Sequence, residues 1–389
     1  MKPVIFVSTC EFSGDMHGAV LVQELQRLLP EAEFYGIGGA QLAAAGVEIL
    51  TDPTKESTIG FIEALKNLRK MKQLIKTVIN EWGKRRPDLM LWLDSGGLNL
   101  ILSKAARERG IPVVCMFSPS AWAYGQDRAV KLAQRVKLLL AVLPFEAEFY
   151  RKFGTNVVHI GHPLIDRVKP DLPPETYKRS LKIEPHQKLI ALLPGSRRQE
   201  VARLLPVMLE AATALAGAYP LQLVLPVAAS IDRSWLESIL QQYPVACKVT
   251  SGGVYNLLAA ADAAVIASGT ATLEAALLQT PLVIVYQMSK LSFFIYKLLE
   301  SPEHKGKPLL FGLPNLIMGR SVVPELIFEE LNAVNIMTQL EEYLSNPGRL
   351  TQVKQDLAKV RELCGPPQVM ARAARLIKEL LEGEPVKGN

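Results

Sequence analysis

Short apolar runs alternate with amphipathic stretches along most of this chain. Residues 4–7, 89–93 and 138–143 are continuous apolar runs of strand length, whereas residues 18–29 carry apolar side chains at helical spacing. Strand and helix patterns that follow one another in this way predict βαβ units with parallel strands. The alternation recurs on both sides of a stretch rich in proline and charge, so the sequence predicts an α/β protein of two doubly wound parallel sheets.

Domain boundaries follow from the interruption of this pattern. The chain has 389 residues, and domains typically hold about 100–200 residues. We predict a first domain over residues 1–168, a linker over 169–187 and a second domain over 188–345. Residues 346–389 are predicted to form C-terminal helices, interrupted by the glycine and prolines at 365–367.

Composition and charge indicate which kind of partner the protein binds. The chain is 49% hydrophobic and 21% charged, which is typical of a globular protein. The net charge of +6 and the pI near 9.0 favour an anionic partner. Because no dense Lys/Arg tract or zinc-finger spacing occurs, we expect no nucleic acid, and a phosphorylated small molecule or an anionic lipid surface fits better.

The remaining bulk features indicate a cytoplasmic protein. Four cysteines lie far apart in the sequence and are predicted to be free thiols in a reducing compartment: Cys10, Cys115, Cys247 and Cys364. The first residues resemble a strand rather than a signal peptide, and no uncharged apolar run reaches about 18 residues. His159 and His162 lack an apparent third ligand, so no zinc site is expected.

Two turns have the composition of anion sites. Residues 194–197 follow an apolar run, and Ser196 with Gln199 predicts a capping box and a helix that begins just after Ser196. Free N–H groups at this helix start, beside Arg197 and Arg198, would attract a phosphate. A capped turn with two solvated arginines fits the same residues.

The second turn is Ser268-Gly269-Thr270, between an apolar run and a helical stretch. Its small residues could also cradle an anion, and Glu274, one turn into the helix, could accept hydrogen bonds from vicinal hydroxyls. In the alternative interpretation, Thr270 or Thr272 caps the helix and Glu274 offsets its dipole.

Carboxylates follow two predicted strands of the first half. Asp94 stands at the end of the run 89–93, where ligands bind in open α/β sheets, and could act as a general base. An Asx turn would explain the same residue. In the turn after the first strand, Glu11 and Asp15 could bind sugar hydroxyls, or Ser13 or Asp15 could cap the next helix.

Residues 59–79 form a basic amphipathic stretch, with five lysines and arginines between apolar residues at helical spacing. Such a helix usually covers a sheet. The alternative is contact with a membrane surface, in which the lysines meet lipid phosphates.

Several motifs together resemble the lipid-A-disaccharide synthase family, in its order and spacing, from near residue 4 to about residue 380. The motifs that carry the resemblance are Glu11 with Ser13-Gly14-Asp15, Ser118-Pro119-Ser120 with Trp122-Ala123, Leu143-Pro144-Phe145-Glu146, Gly161-His162-Pro163, Leu192-Leu193-Pro194-Gly195-Ser196-Arg197, Ser268-Gly269-Thr270-Ala271 with Leu273-Glu274, and Leu313-Pro314-Asn315-Leu316.

The resemblance implies a GT-B fold: two Rossmann-like domains, an acceptor side in the N-terminal half, UDP held mainly by the C-terminal half, an interdomain cleft, and C-terminal helices that cross back to the first domain. It implies an inverting, metal-independent transfer without cofactor. A diacylglucosamine passes from its UDP carrier to the 6-hydroxyl of diacylglucosamine 1-phosphate, forming the β-1,6-linked disaccharide. The family works peripherally at the inner face of the cytoplasmic membrane, and a homodimer is possible.

The resemblance also assigns residues. The catalytic aspartate falls on Asp94 and the ribose contact on Glu274. The diphosphate contacts fall on Ser196, Arg197, Ser268, Gly269 and Thr270. The positions expected to line the cleft or contact substrate are Glu11, Ser13, Gly14, Asp15, Ser118, Asn315 and Glu325. The chain contains no Asp-x-Asp motif, which disfavours a bound divalent ion and leaves the leaving group to helix N-termini and arginine.

Two departures from the family pattern concern the acceptor side. The second aspartate of the usual Asp-Ala-Pro-Asp run is replaced by Gly97, and two basic residues of the aromatic loop are replaced by Gly125 and Asp127. A related UDP-sugar transferase with a different lipid acceptor is therefore an alternative. A UDP-sugar 2-epimerase, which can share this architecture, and a non-enzymatic binding protein are two others.

Overall fold

A computed structural model describes residues 2–54, 63–94, 97–123, 126–287 and 310–386, and of residues 63–70 only the backbone. Within these ranges the chain forms two compact units, each built on one parallel sheet. The apolar stretch 291–299, whose pattern predicts a helix, and the loop residues Tyr124 and Gly125 lie outside the described residues.

The sheet of the first unit has the strand order β3-β2-β1-β4-β5-β6-β7. Its strands are Val4–Ser8 (β1), Glu33–Ile37 (β2), Glu48–Thr51 (β3), Leu89–Trp92 (β4), Val113–Met116 (β5), Leu138–Ala141 (β6) and Val157–His159 (β7). The helices between and after them are Phe12–Leu28 (α1), Ala40–Ala44 (α2), Glu63–Lys84 (α3), Gly97–Glu108 (α4), Asp127–Arg135 (α5) and Pro144–Arg151 (α6).

The sheet of the second unit has the order β10-β9-β8-β11-β12-β13. Its strands are Lys188–Leu193 (β8), Leu221–Val227 (β9), Cys247–Ser251 (β10), Ala263–Ala267 (β11), Leu282–Tyr286 (β12) and Glu325–Ile327 (β13). Its helices are Leu164–Arg167 (α7), Pro174–Ser180 (α8), Arg198–Leu215 (α9), Arg233–Leu240 (α10), Val254–Ala260 (α11), Thr270–Leu277 (α12), Leu313–Met318 (α13), Ala333–Ser345 (α14) and Pro347–Leu363 (α15), with a short 3₁₀ helix at Phe328–Glu330.

The apolar composition of the central strands follows from this layering. Strands β4, β5 and β6 are buried along their whole length, as expected where helices cover both faces of a parallel sheet. The chain reverses its direction of travel across each sheet once, between the paired strands β1 and β4 and between the paired strands β8 and β11. The predicted fold class, two doubly wound parallel sheets, is confirmed.

The unit boundaries differ in detail from those expected. The first unit ends at Pro163 rather than near residue 168. The expected linker belongs to the second unit, where Asn256 Oδ1 accepts hydrogen bonds from the backbone of Asp171 (2.7 Å) and Leu172 (3.0 Å). Helix α15 also packs within the second unit, and among the described residues the chain returns to the first unit at Cys364.

One predicted helix begins earlier than expected, and another packs as its simpler interpretation predicted. Helix α1 begins at Phe12, six residues earlier than residue 18, because residues predicted as a polar turn already take helical conformation. Helix α3 buries Val78 and Trp82 in the core of the first unit and packs Met71 and Ile75 against it. The described apolar side chains of this helix therefore cover the sheet, as the simpler interpretation predicted.

The four cysteines are free thiols, as predicted; Cys115 and Cys364 are buried, and Cys10 and Cys247 are partly exposed. In the described ranges, none of the helices combines the length and the apolar character needed to cross a membrane.

The return of the chain depends on a close approach of two backbones. His162 N–H donates to the carbonyl of Cys364 (2.8 Å), and the following helix Val369–Leu381 (α16) packs on α1. Gly161 has a φ of +90°, and a Cβ at this position would lie 2.7 Å from the Cys364 oxygen. Only glycine meets both requirements without strain.

We therefore predict that Gly161→Ala destabilises the chain more than Gly154→Ala. Gly154 also has a positive φ (+78°), but no atom lies within 4 Å of the position of its missing Cβ. The control should lose about 1 kcal/mol of unfolding free energy, and Gly161→Ala about 3 kcal/mol, because it adds a steric clash. Urea unfolding measures both, and equal losses would contradict the role given to the contact with Cys364.

Candidate functional site

Asp94 lies at the point where the first sheet reverses its strand order. It follows β4, is 2% exposed, and joins the loops that leave β1 and β4. Its Oδ1 accepts from Asn99 Nδ2 of α4 (2.8 Å), and its Oδ2 accepts from the backbone N–H of Cys10 and from Thr9 Oγ1 (3.3 Å). These donors fix the orientation of the carboxylate at the edge where open α/β sheets bind ligands.

The start of α1 lies against the same edge. Gly14 is buried, and a Cβ there would lie 2.2 Å from Thr9 Oγ1 and 2.5 Å from the carbonyl of Leu93. Glycine at this position lets the helix approach the residue just before Asp94. Glu11, at the N-cap, is partly exposed, and Ser13 is exposed in the first turn. The prediction that Ser13 or Asp15 caps this helix is wrong, since both lie inside it.

Asp15 has a different role from the one expected. It is 2% exposed, and its carboxylate accepts from the backbone N–H groups of Gly39 (2.7 Å), Gln41 (2.9 Å) and Leu42 (3.2 Å). Asp15 therefore caps α2, the helix after the next strand. These contacts engage both carboxylate oxygens, so Asp15 stabilises the fold and its carboxylate is not directed at a ligand.

Ser118 lies in the loop that leaves β5, next to β4. Its side chain is buried, and its neighbour Phe117 has a φ of +60°. This left-handed conformation is rare for an aromatic residue and is typical of functional loops. The Phe117 ring stacks on His17 of α1 at 5.0 Å, and Tyr150 OH donates to the carbonyl of Pro119.

Two histidines of the first unit, His159 and His162, are neutral at physiological pH. Burial, together with the nearby His17 and His159, lowers the pKa of His162 to about 3. Burial also lowers the pKa of His159. Within the residues that the structure describes, no group of three metal-ligating side chains is assembled.

In the second unit, both predicted anion turns lie where the strand order reverses. The turn 194–197 leaves β8, and the turn Ser268-Gly269-Thr270 leaves the adjacent strand β11. The capping box is wrong: α9 begins at Arg198, its N-cap is Arg197, and no side chain of the N-cap residue bonds the helix start. The reason is Gly195, whose φ of +112° prolongs the turn before the helix begins.

The two arginines of the first turn differ. Arg197 is exposed, and its guanidinium pairs with Glu200 at 3.1 Å. An exposed pair of this kind is weak, so Arg197 can exchange its partner. Arg198 instead places its guanidinium 4.8 Å above the ring of Trp235. Its guanidinium therefore packs on α10 on one side, although the residue as a whole is exposed.

The second turn begins α12 at Thr270, with Gly269 as the N-cap. The alternative that Thr270 or Thr272 caps this helix is wrong, since Gly269 has no side chain and Thr272 Oγ1 donates to the Gly269 carbonyl (2.7 Å). Gly269 and Thr270 are exposed. The first N–H groups of α12 therefore face outward beside the first turn.

A pocket of about 200 Å³ joins the two turns. Arg197 and Ser268 both line it, and so do Arg203 of α9 and Tyr286 at the end of β12. No local sequence pattern points to Arg203 or Tyr286 as binding residues. Their helix and strand positions could be predicted, but only the register of β12 beside β11 brings Tyr286 to this edge.

Glu274 lies one turn into α12 and is held by Tyr255 of α11. Tyr255 OH donates to Glu274 Oε1 at 3.1 Å, and burial raises the pKa of the Glu274 carboxyl. Burial and the nearby carboxylate also raise the pKa of Tyr255 to about 12. The hydroxyl thus remains a donor and orients Glu274, a partnership that no local sequence signal predicts.

Asn315 and Glu325 bond each other and the backbone of their own loop. Glu325 accepts from the N–H groups of Phe311 (2.8 Å) and Gly312 (3.0 Å) and from Asn315 Nδ2 (2.6 Å). Asn315 is fully buried, and its Oδ1 accepts from Val322 N–H at 2.7 Å. The pair holds the start of α13, and Ser268 Oγ reaches the Phe311 carbonyl of that loop at 3.5 Å. Both residues therefore support this loop, and their expected place in the lining of the cleft stays a prediction.

Two of the departures on the acceptor side, Gly97 and Asp127, lie among the described residues. Gly97 is the first residue of α4 and is exposed, and no atom lies within 4 Å of the position of its missing Cβ. Asp127 pairs with Lys131 one turn along α5 at 2.8 Å. Neither residue is required by packing, so these positions can vary without cost to the fold.

Solved structures of similar fold include the calicheamicin glycosyltransferase CalG4, with a TM-score of 0.62, 16% identity and 98% coverage of both chains. A UDP-GlcNAc 2-epimerase from Neisseria meningitidis bound to UDP-GlcNAc has a TM-score of 0.57 and 13% identity, with 99% of this chain and 100% of that chain covered. At these identities the likeness concerns the fold alone.

Sequence relatives are much closer. The lipid-A-disaccharide synthase of Syntrophus aciditrophicus is 36% identical over 381 residues, 97% of this chain and 98% of that protein. The corresponding synthase of Geobacter sulfurreducens is 35% identical over 378 residues, 97% of each. The model of the lipid-A-disaccharide synthetase family matches residues 5–379. The chain therefore belongs to the lipid-A-disaccharide synthase family.

Proposed function

We propose that this chain transfers 2,3-diacylglucosamine from UDP to the 6-hydroxyl of 2,3-diacylglucosamine 1-phosphate, releasing UDP. The product is the β-1,6-linked disaccharide 1-phosphate, formed with inversion and without a metal ion. The observation that carries the proposal is the family match over residues 5–379. The positions of Asp94 and of the two anion turns, each at the point of strand reversal in its sheet, support it.

In this proposal the second unit binds the donor. The N–H groups that start α9 and α12, with Arg197, Ser196, Ser268, Gly269 and Thr270, stabilise the charge that develops on the departing diphosphate. Glu274, oriented by Tyr255, accepts hydrogen bonds from the ribose hydroxyls. Helix N-termini and an arginine can supply the electrostatic stabilisation that a metal ion supplies elsewhere.

Asp94 is proposed as the general base of the first unit. Its carboxylate takes the proton of the acceptor 6-hydroxyl as that oxygen attacks the anomeric carbon, and UDP leaves from the opposite face of the sugar. The support is its position and its fixed orientation by Asn99 and the Cys10 N–H. Glu11 and Ser13, which lie at the start of α1 on the same edge, are proposed to contact the acceptor.

The reaction is tested with UDP-2,3-diacylglucosamine, given with and without 2,3-diacylglucosamine 1-phosphate and analysed by mass spectrometry. We expect the disaccharide 1-phosphate and UDP only when both substrates are present. Isomerised UDP-sugar without acceptor would instead indicate an epimerase. Transfer to another lipid only would indicate a related transferase, as the replacements at Gly97 and Asp127 allow.

We predict that Asp94→Asn lowers kcat by about 10²–10⁴, the usual contribution of a general base, and leaves UDP affinity unchanged. The matched control is Asp88→Asn, at the other end of the same strand. Asp88 also accepts a backbone hydrogen bond, from Val4 N–H at 2.8 Å, so its substitution tests for loss of fold. Near-normal turnover by a folded Asp94→Asn variant would exclude Asp94 as the base.

We predict that Arg197→Ala raises the Kd for UDP about tenfold or more, since a hydrogen bond to a charged group contributes about 1.5–3 kcal/mol. Isothermal titration measures it. Arg198→Ala removes the same charge from the next position, where the guanidinium packs on Trp235, and should change the Kd less than twofold. Equal effects of the two substitutions would show that Arg197 contributes only its net charge and makes no specific contact with the diphosphate.

We further propose that the chain works as a peripheral protein on the inner face of the cytoplasmic membrane. The net charge of +6 supports this, as does the exposed pair Lys72 and Lys76 on the outer face of α3. Each lysine near an anionic surface contributes about 1 kcal/mol to binding. From the family resemblance we also propose that the protein forms a homodimer.

For the membrane contact, we predict that Lys72→Glu with Lys76→Glu weakens sedimentation with phosphatidylglycerol vesicles by tenfold or more, roughly the effect of losing two favourable charges. The control pair Lys354→Glu and Lys359→Glu changes the same net charge on exposed positions of α15. If both pairs weaken binding equally, the contact is not specific to α3.

A further inference from the structure

Glu146 is a buried acid that the proposed reaction does not use. It lies in the first turn of α6 and is 5% exposed. Burial raises the pKa of its carboxyl to about 7. No cation pairs with it among the described residues. A buried carboxyl group without a cation is costly, which implies that it has a specific polar partner or role.

Three polar atoms converge at this position. Glu146 Oε2, Ser118 Oγ and Trp122 Nε1 are all buried, and within the described part of the chain none of them has a hydrogen-bond partner of good geometry. The hydroxyl and the indole lie near enough to the carboxyl to offset part of the effect of burial on its pKa. An indole N–H only donates and a carboxylate only accepts, so the three groups are chemically complementary.

The loop that carries two of these groups is otherwise held by α6. We call residues 117–123 the Ser118 loop. Tyr150 OH of α6 donates to the Pro119 carbonyl, and the Trp122 ring packs edge-on against Phe145 at 4.9 Å. The loop begins with the strained residue Phe117. Helix α6 therefore holds the middle and the end of this loop, whereas Phe117 at its start stacks on His17 of α1.

The same cluster lies close to the proposed base. Cys115 of β5 pairs in register with Trp92 of β4, two residues before Asp94. The charges of Asp94 and Glu146 both raise the pKa of the Cys115 thiol, after the effect of burial. The Ser118 loop thus leaves β5 beside β4, the strand that precedes Asp94.

We propose that Glu146 is a positioning residue, whose carboxylate accepts hydrogen bonds from Ser118 Oγ and Trp122 Nε1 and thereby fixes the Ser118 loop beside Asp94 for the acceptor. The identity of the acceptor rests on the proposed function. The contact of Glu146 with Ser118 and Trp122 does not depend on it. Hydrogen bonds to an ionised carboxylate are stronger than those to a neutral carboxyl, and protonation turns one of the two acceptor oxygens into a donor. The loop is therefore held more firmly when the carboxyl is ionised than when it is protonated.

Three other titratable groups lie around Glu146, and each of them is neutral near pH 7. Tyr150 lies on the same helix, Cys115 on β5 and His159 on β7, the strand that packs against α6. Burial raises the pKa of Tyr150 and Cys115 and lowers that of His159. Glu146 is therefore the group expected to change charge in the cluster between pH 6 and pH 8, a range about one unit either side of its pKa.

The contact is tested by the fluorescence of Trp122, obtained as the difference between the full chain and its Trp122→Phe variant. We expect this signal to titrate with an inflection near pH 7, because the indole N–H gains a charged acceptor. Glu146→Gln should abolish the inflection. Glu148→Gln, an exposed position two residues along the same helix, should retain it. An inflection that persists in Glu146→Gln would overturn the proposal.

Kinetics test the effect on the loop. Glu146→Gln and Ser118→Ala should each raise the KM for the acceptor about fivefold, the effect of one hydrogen bond, and leave the KM for the UDP-sugar unchanged. Ser118→Ala is the milder variant and keeps the test available if Glu146→Gln folds poorly. An unchanged acceptor KM in both folded variants would overturn the positioning role. Absence of transfer by the unmodified chain would count against the proposed function alone, because the fluorescence titration needs no substrate.

Discussion

Parallel pairing of the strands is the constraint on which the chemistry depends. A parallel strand can be reached only by a crossover, so all the strands of a sheet end at the same edge and the loops that leave them lie side by side. Where the strand order reverses, two such loops separate and leave room for a ligand. Asp94 with the Cys10 loop occupies that point in the first unit, and the turns that contain Arg197 and Ser268 occupy it in the second.

The two reversal points carry different chemistry for simple reasons. At the first, backbone and amide donors hold a buried carboxylate in one orientation, which suits proton transfer. At the second, a glycine with positive φ and an N-cap glycine leave helix N–H groups without side-chain caps beside an exposed arginine. That combination favours an anion.

Local sequence patterns predicted much of this arrangement. They did not predict hydrogen-bond partners that are distant from each other in the sequence. Apolar runs and small-residue turns identified the strands around Asp94, Ser196 and Ser268, because burial on both faces and tight turns have direct sequence signatures. Asp15 resembled a cap of its own helix but caps another one, 24 residues away at Gly39. Likewise, Asn315 with Glu325 and Tyr255 with Glu274 become partners only through tertiary packing.

Hydrogen–deuterium exchange of the full chain, with and without saturating UDP, tests most directly whether the donor nucleotide is bound at the second reversal point. We predict slower exchange of the backbone N–H groups at the start of α9 and α12, around Arg198 and Thr270, and unchanged exchange at Cys10 beside Asp94. Protection around Cys10 with none at these two helix starts would contradict the assignment of the donor to the second unit.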